Sequence, residues 1–143
     1  MKLNKEGLDF ISLLEGIKLK SYKDSKGIWT IGIGSTYLEN NSKVKSTTKD
    51  LTLNEVYTLF TITSKQYENA VNNFVKIPIT QNQFNALFAL CYNIGIDGFK
   101  TSTVLKRINL KDTQENITEG WMRWIKQKEL INRRKKEINL YFK

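Results

Sequence analysis

Histidine is absent from this chain, cysteine and proline occur once each, and no long apolar run interrupts its polar character. Each absence excludes a kind of chemistry. Without an imidazole, and with a single thiol, Ser-His and Cys-His nucleophile systems are ruled out together with the usual zinc sets. The lone Cys91 lies inside Ala86-Leu-Phe-Ala-Leu-Cys-Tyr92, an apolar run where a buried free thiol is expected. No stretch approaches the ~18 apolar residues of a membrane span, and Met1-Lys-Leu-Asn-Lys-Glu-Gly7 lacks the apolar core of a secretory signal. The expectation is a chain made in the cytoplasm, without stable membrane insertion, that needs outside help to reach any target beyond the membrane.

What remains is carboxylate chemistry. Asp, Glu, Lys and Tyr are the only other titrating side chains, so an enzyme built here most naturally runs acid/base steps on a carboxylate pair, with no metal and no cofactor. The formal charge of +9, with an isoelectric point near 9.6, favours anionic partners such as nucleic acid, anionic membrane or bacterial envelope. Asn, Ile and Lys are abundant throughout, so the charge by itself selects none of these. At 143 residues and 40% hydrophobic content, one domain spanning 1–143 can bury about two-thirds of its unfolded surface without disulfides or metal.

Along the chain, Leu8, Ile11 and Leu14 recur at helical spacing between a capping Asn4 and a terminating Gly16. The pattern then changes. Lys18 to Tyr22, a turn at Lys23-Asp-Ser-Lys-Gly27, and Ile28 to Gly34 read as a β-hairpin. Residues 37–49 are polar and loop-like, with room for one more short strand. Thr52-Leu-Asn-Glu55 is a capping box that opens a helix into the low 70s, closed by Pro78. Thr80-Gln-Asn-Gln83 is a second box, and its helix ends at Gly95. Further helices are predicted near Ser102 to Asn109, Thr113 to Ile125 and Lys128 to Asn139. The architecture is α+β: a small hairpin lobe at about 16–50, a larger helical lobe at about 52–143 joined by helix 4–15, and a cleft between them as the place to look for a site.

Glu15 stands out because it falls in the last turn of the first helix, where the negative end of the helix dipole favours the protonated carboxyl. An acid that keeps its proton is what a leaving oxygen needs. Packing of Leu13, Leu14 and Ile17 around it would act in the same direction. Taken singly, a glutamate at a helix end is an ordinary solvated residue, Asp24 an ordinary turn former and Thr30 an ordinary strand residue. Their interest lies in falling on consecutive elements that fold back on one another.

The segment Leu14-Glu-Gly-Ile-Lys-Leu-Lys-Ser-Tyr-Lys-Asp-Ser-Lys-Gly-Ile-Trp-Thr-Ile-Gly-Ile-Gly34 resembles the signature of the phage-type lysozymes, glycoside hydrolase family 24. That family spaces its Glu, Asp and Thr nine and then six residues apart, and Glu15, Asp24 and Thr30 match both intervals. The resemblance implies Glu15 as general acid, Asp24 as the carboxylate that orients the attacking water and supports an oxocarbenium-like state, and Thr30 as a positioner of that water. It continues through Thr80 to Leu87, Asn93-Ile-Gly95, Gly98 to Leu105 and Leu130-Ile-Asn-Arg-Arg-Lys-Lys-Glu137, and so covers nearly the whole chain.

A lysozyme-like fold follows from it, as does hydrolysis of the β-1,4 bond between N-acetylmuramic acid and N-acetylglucosamine in bacterial peptidoglycan. Inversion is implied, with carboxyls roughly 6.5 to 9.5 Å apart. The implied protein is a monomeric endolysin with no nucleic-acid partner, held in the host cytoplasm until it is released to the wall. Tyr92 and Ser102 fall where relatives contact the glycan, although a core tyrosine and a helix-capping serine account for them equally well. Arg133 takes the place of an arginine that approaches the catalytic Glu in relatives, whereas Asn132-Arg-Arg-Lys-Lys136 is otherwise a solvated basic face. Trp121 and Trp124 read as core anchors. Ser35 departs from the family, which often carries a structural histidine after Gly-x-Gly. Two rivals remain: a basic nucleic-acid-binding module using the 133–136 helix, and an inactive wall-binding homologue.

Overall fold

The computed structural model describes all 143 residues. Two strands and seven helices follow in the order α1 (Lys5–Glu15), β1 (Lys18–Lys23), β2 (Trp29–Gly32), α2 (Leu53–Phe74), α3 (Gln81–Ile94), α4 (Ile96–Lys100), α5 (Thr103–Asn109), α6 (Gln114–Met122) and α7 (Leu130–Tyr141). None of the helices is long and apolar enough to cross a membrane. The chain divides into two compact units, Asp9–Lys65 and Met1–Leu8 with Gln66–Lys143, so α1 and α2 contribute residues to both.

In the smaller unit β1 and β2 pair antiparallel, with Tyr22 opposite Thr30 and Lys23 opposite Trp29, and a register irregularity separates Lys18 from Tyr22. Residues 37–49 hold one isolated bridge, Tyr37 to Lys43, where the sequence left room for a short strand, and a second bridge joins Ile31 to Ser35 just after β2. These bring Ile31, Val44 and Leu59 into one small core, flanked by Trp29, Leu38 and Leu51. The capping box at the start of α2 forms as predicted: Thr52 N–H donates to Glu55 Oε1 at 3.1 Å, and Glu55 N–H donates to Thr52 Oγ1 at 3.2 Å.

The larger unit is organised on α3, whose residues Phe84 to Cys91 are all buried. A helix enclosed on every side must satisfy any polar group it carries. Asn85 meets that demand by donating to Asn4 Oδ1 at 2.8 Å and accepting from Gln81 Nε2 at 2.9 Å. Phe84, Leu87 and Leu90 pack with Val104, Ile108, Trp121 and Ile138 from later helices. Each such side chain contributes roughly 1.5 to 3 kcal/mol of burial energy.

Element boundaries move where tertiary partners intervene. Helix α2 ends at Phe74, close to the low 70s predicted for it, where Asn109 donates to Phe74 O at 2.9 Å and accepts Lys76 N–H at 2.7 Å. Helix α6 stops at Met122 and not at Ile125, and the carbonyl of Trp124 beyond it accepts from Arg134 Nε at 2.8 Å. Helix α4 was not foreseen; it starts directly after Gly95, whose φ of +88° is one that glycine adopts without strain.

The basic run on α7 is only partly the solvated face expected of it. Arg134 is fully buried and pairs with the fully buried Glu137 at 2.7 Å, while Lys135 and Lys136 stay exposed. Glu137 also accepts from Trp121 Nε1 at 2.8 Å and from Arg133 Nε at 3.0 Å. A paired and multiply bonded ion is the form in which charge is tolerated in a core.

Candidate active site

Glu15 is the last residue of α1. Directly after it Gly16 takes φ +74°, and its N–H closes the helix on Ser12 O at 2.8 Å. The left-handed step, open to glycine without strain, turns the chain so that β1 begins two residues later. Glu15 is therefore held at the junction of helix and hairpin, half-buried. The apolar surroundings expected of it are thinner than the sequence suggested: Leu13 is 70% exposed, because its place on the helix turns it to solvent, whereas Leu14 and Ile17 are half-buried.

Asp24 follows β1 and does what a turn aspartate does. Its Oδ1 accepts Lys26 N–H at 2.8 Å and Ile28 N–H at 2.9 Å, and its own N–H donates to Ile28 O at 2.9 Å. The ordinary turn role and the candidate catalytic role are compatible in physical terms. Two backbone donors fix one carboxylate oxygen and leave the second available to act on a water molecule or a developing positive charge.

Thr30 sits on β2, only 3% exposed, and its hydroxyl donates to Ile28 O at 3.0 Å. With that proton committed, the lone pairs of Oγ1 can accept a hydrogen from water. Ile28 O and N–H thus serve Thr30 and Asp24 together, so turn and strand form one hydrogen-bonded fixture.

Tyr22, which the sequence did not single out, stands directly opposite Thr30 in the ladder. Residues paired in this way project to the same face of a hairpin. Burial, then the charge of Glu15, then the charge of Asp24 push the Tyr22 hydroxyl above its ordinary value of 10.0. Glu15, Asp24 and Thr30 are all brought to one region of the smaller unit, and Tyr22 is the residue that links them. The other face of the hairpin is different in kind, with Lys23 Nζ 5.5 Å from the centre of the Trp29 ring.

The remaining candidates lie in the larger unit. Tyr92 is half-buried and packs its ring against Tyr67 at 4.9 Å and Phe88 at 5.9 Å. Ser102 is buried and caps α5, accepting Leu105 N–H at 3.1 Å and donating to Phe99 O at 2.8 Å. Arg133 donates to Glu137 and, from Nη2, to Ala89 O at 3.2 Å.

Comparison with known proteins adds three findings. The family model described as phage lysozyme matches residues 12–137. The endolysin of Salmonella phage P22 is 34% identical over 146 aligned positions, covering 99% of this chain and 98% of that protein. Among solved structures, the endolysin from Escherichia coli O157:H7 phage FAHEc1 superposes with a TM-score of 0.91 at 34% identity, covering 99% of this chain and 93% of its own. The muramidase domain of SpmX from Asticaccaulis excentricus superposes with a TM-score of 0.83 at 29% identity, covering 99% of this chain and 98% of its own.

Proposed function

The chain belongs to the phage lysozyme family and is a glycoside hydrolase with the lysozyme-like α+β fold, and from that premise we propose that it hydrolyses the β-1,4 bond between N-acetylmuramic acid and N-acetylglucosamine in peptidoglycan, with Glu15 as the acid. The observation that carries the reading is the fixture of Asp24, Ile28 and Thr30 beside a helix-terminal carboxyl. Glu15 gives its proton to the glycosidic oxygen as the bond breaks. Water donates one hydrogen to the Asp24 carboxylate and the other to Thr30 Oγ1, which leaves its lone pair directed at the anomeric carbon from the opposite side. Bond making on the far face inverts the configuration.

Tyr92 and Ser102 are carried as glycan contacts, and Arg133 as a supporting residue, on the family resemblance. The rival reading as a nucleic-acid-binding module on the 133–136 helix loses one of its four basic residues, since the buried Arg134 cannot reach a phosphate. The same proposal makes the protein a monomeric endolysin that waits in the host cytoplasm and is released to the wall, with peptidoglycan and not nucleic acid as its partner.

The test is digestion of purified peptidoglycan by the native protein and by Glu15→Gln, with products followed by NMR. The native protein is expected to give reducing muramic acid ends that first appear with inverted configuration. Glu15→Gln is expected to give none while keeping the native circular dichroism. Normal cleavage by the variant removes Glu15 from its role; anhydro ends from the native protein identify a transglycosylase, and peptidoglycan that is bound but not shortened identifies an inactive homologue.

A further inference from the structure

During the proposed reaction the negative charge changes place. Asp24 begins as the carboxylate and gains the water proton, whereas Glu15 begins as the acid and ends ionised. A site that performs this exchange benefits from a neutral donor able to serve whichever carboxyl is charged at the moment, because charge that appears in the transition state is what a fixed donor stabilises. Tyr22 has the placement for it. Its cross-strand pairing with Thr30 puts the ring on the reactive face of the hairpin, and it stands on β1 two residues ahead of Asp24, which directly follows that strand. Its side chain is half-buried and its hydroxyl is within electrostatic reach of Glu15 and Asp24 alike.

From this placement we infer that Tyr22 is a positioning residue of the reaction, whose phenolic O–H hydrogen-bonds to the charged member of the Glu15 and Asp24 pair and moves from Asp24 to Glu15 as the proton is spent. The phenol stays neutral throughout; no bond to Tyr22 forms or breaks beyond the hydrogen bond itself. Burial, and then the negative charge of whichever carboxyl is ionised, keep the proton on the phenol, so it remains a donor over the pH range in which a carboxylate pair works. Two faces of one hairpin thus have separate duties: Tyr22 and Thr30 on the reactive side, Lys23 and Trp29 on the other.

This inference rests on the proposed hydrolase reading, and its test separates the two. Tyr22→Phe keeps the ring and deletes only the hydroxyl. On a soluble peptidoglycan fragment its kcat is expected to fall about ten- to a hundredfold, as for loss of a hydrogen bond to a charged group, with KM within about twofold and the thermal midpoint near that of the native protein.

A kcat within twofold of native, or a loss confined to KM, overturns the inference. If Tyr22→Phe is fully active while Glu15→Gln is dead, the Tyr22 role alone falls; if Glu15→Gln cleaves normally, the underlying reading falls regardless of Tyr22. A second measurement does not depend on how Tyr22→Phe folds. In Glu15→Gln and in Asp24→Asn, absorbance near 295 nm should show one of the six tyrosines ionising at lower pH than in the native protein. No displacement in either variant overturns the proposed coupling.

Discussion

Ser35 carries a buried hydroxyl that has no hydrogen-bond partner, although its backbone is fully engaged with Ile31 through two bonds at 2.8 and 2.9 Å. The position needs the backbone of a residue there and gains nothing from its oxygen. A buried unsatisfied polar atom is a cost, so Ser35→Ala is expected to leave stability unchanged or raise it by up to about 1 kcal/mol, read as a higher midpoint in thermal unfolding. A clear loss of stability would reveal a role for the oxygen. Cys91 shows the opposite economy: burial pushes its thiol up to about 12, which suits a packing atom and not a nucleophile. At this scale the sequence was legible where a residue's setting is local: Glu15 at a helix end, Asp24 in a turn and Thr30 on a strand all stand where the sequence pattern put them. It was silent on Tyr22 because that residue acquires meaning from its cross-strand partner, and on Arg134 because i,i+3 pairing with Glu137 says nothing about which side of α7 faces the core.

The helices show how local signals succeed and where they stop. Both capping boxes, the Asn4 cap and the glycines after α1 and α3 act as the sequence predicts, because each involves neighbours within four residues. In the box that opens α2, the backbone N–H of Thr52, then its hydroxyl, holds the exposed Glu55 carboxyl below its ordinary value of 4.5. A depressed value in the folded state means stability that is present above 4.5 and lost as pH falls through the folded value. The stability difference between the native protein and Glu55→Gln, measured by denaturant unfolding, is therefore expected to be steady near neutrality and to close as pH drops below about 4.5. A gap that stays constant down to the strongly acidic range would show that the charge takes no part in the cap. The end of α6 escaped the sequence because the chain beyond it is held by Arg134, 10 residues away from the Trp124 carbonyl that it bonds.

For the molecule as a whole, the formal charge of +9 bears on encounter with its target more than on the fold. On intact anionic walls, raising salt from about 20 to about 300 mM is expected to slow clearing several-fold, with little change on a small uncharged oligosaccharide, because screening shortens the reach of the field to less than about 10 Å. Equal salt dependence on both substrates would assign the effect to the site and not to steering. What the sequence by itself determined was the order of hairpin and helices, which follows from short-range periodicity, and the family, which follows from a resemblance that marks Glu15, Asp24 and Thr30 as candidates. What only the tertiary structure decided was which of two adjacent arginines enters the core, where α6 ends, and that Tyr22 stands across from Thr30, since these depend on contacts between segments that sequence spacing does not encode.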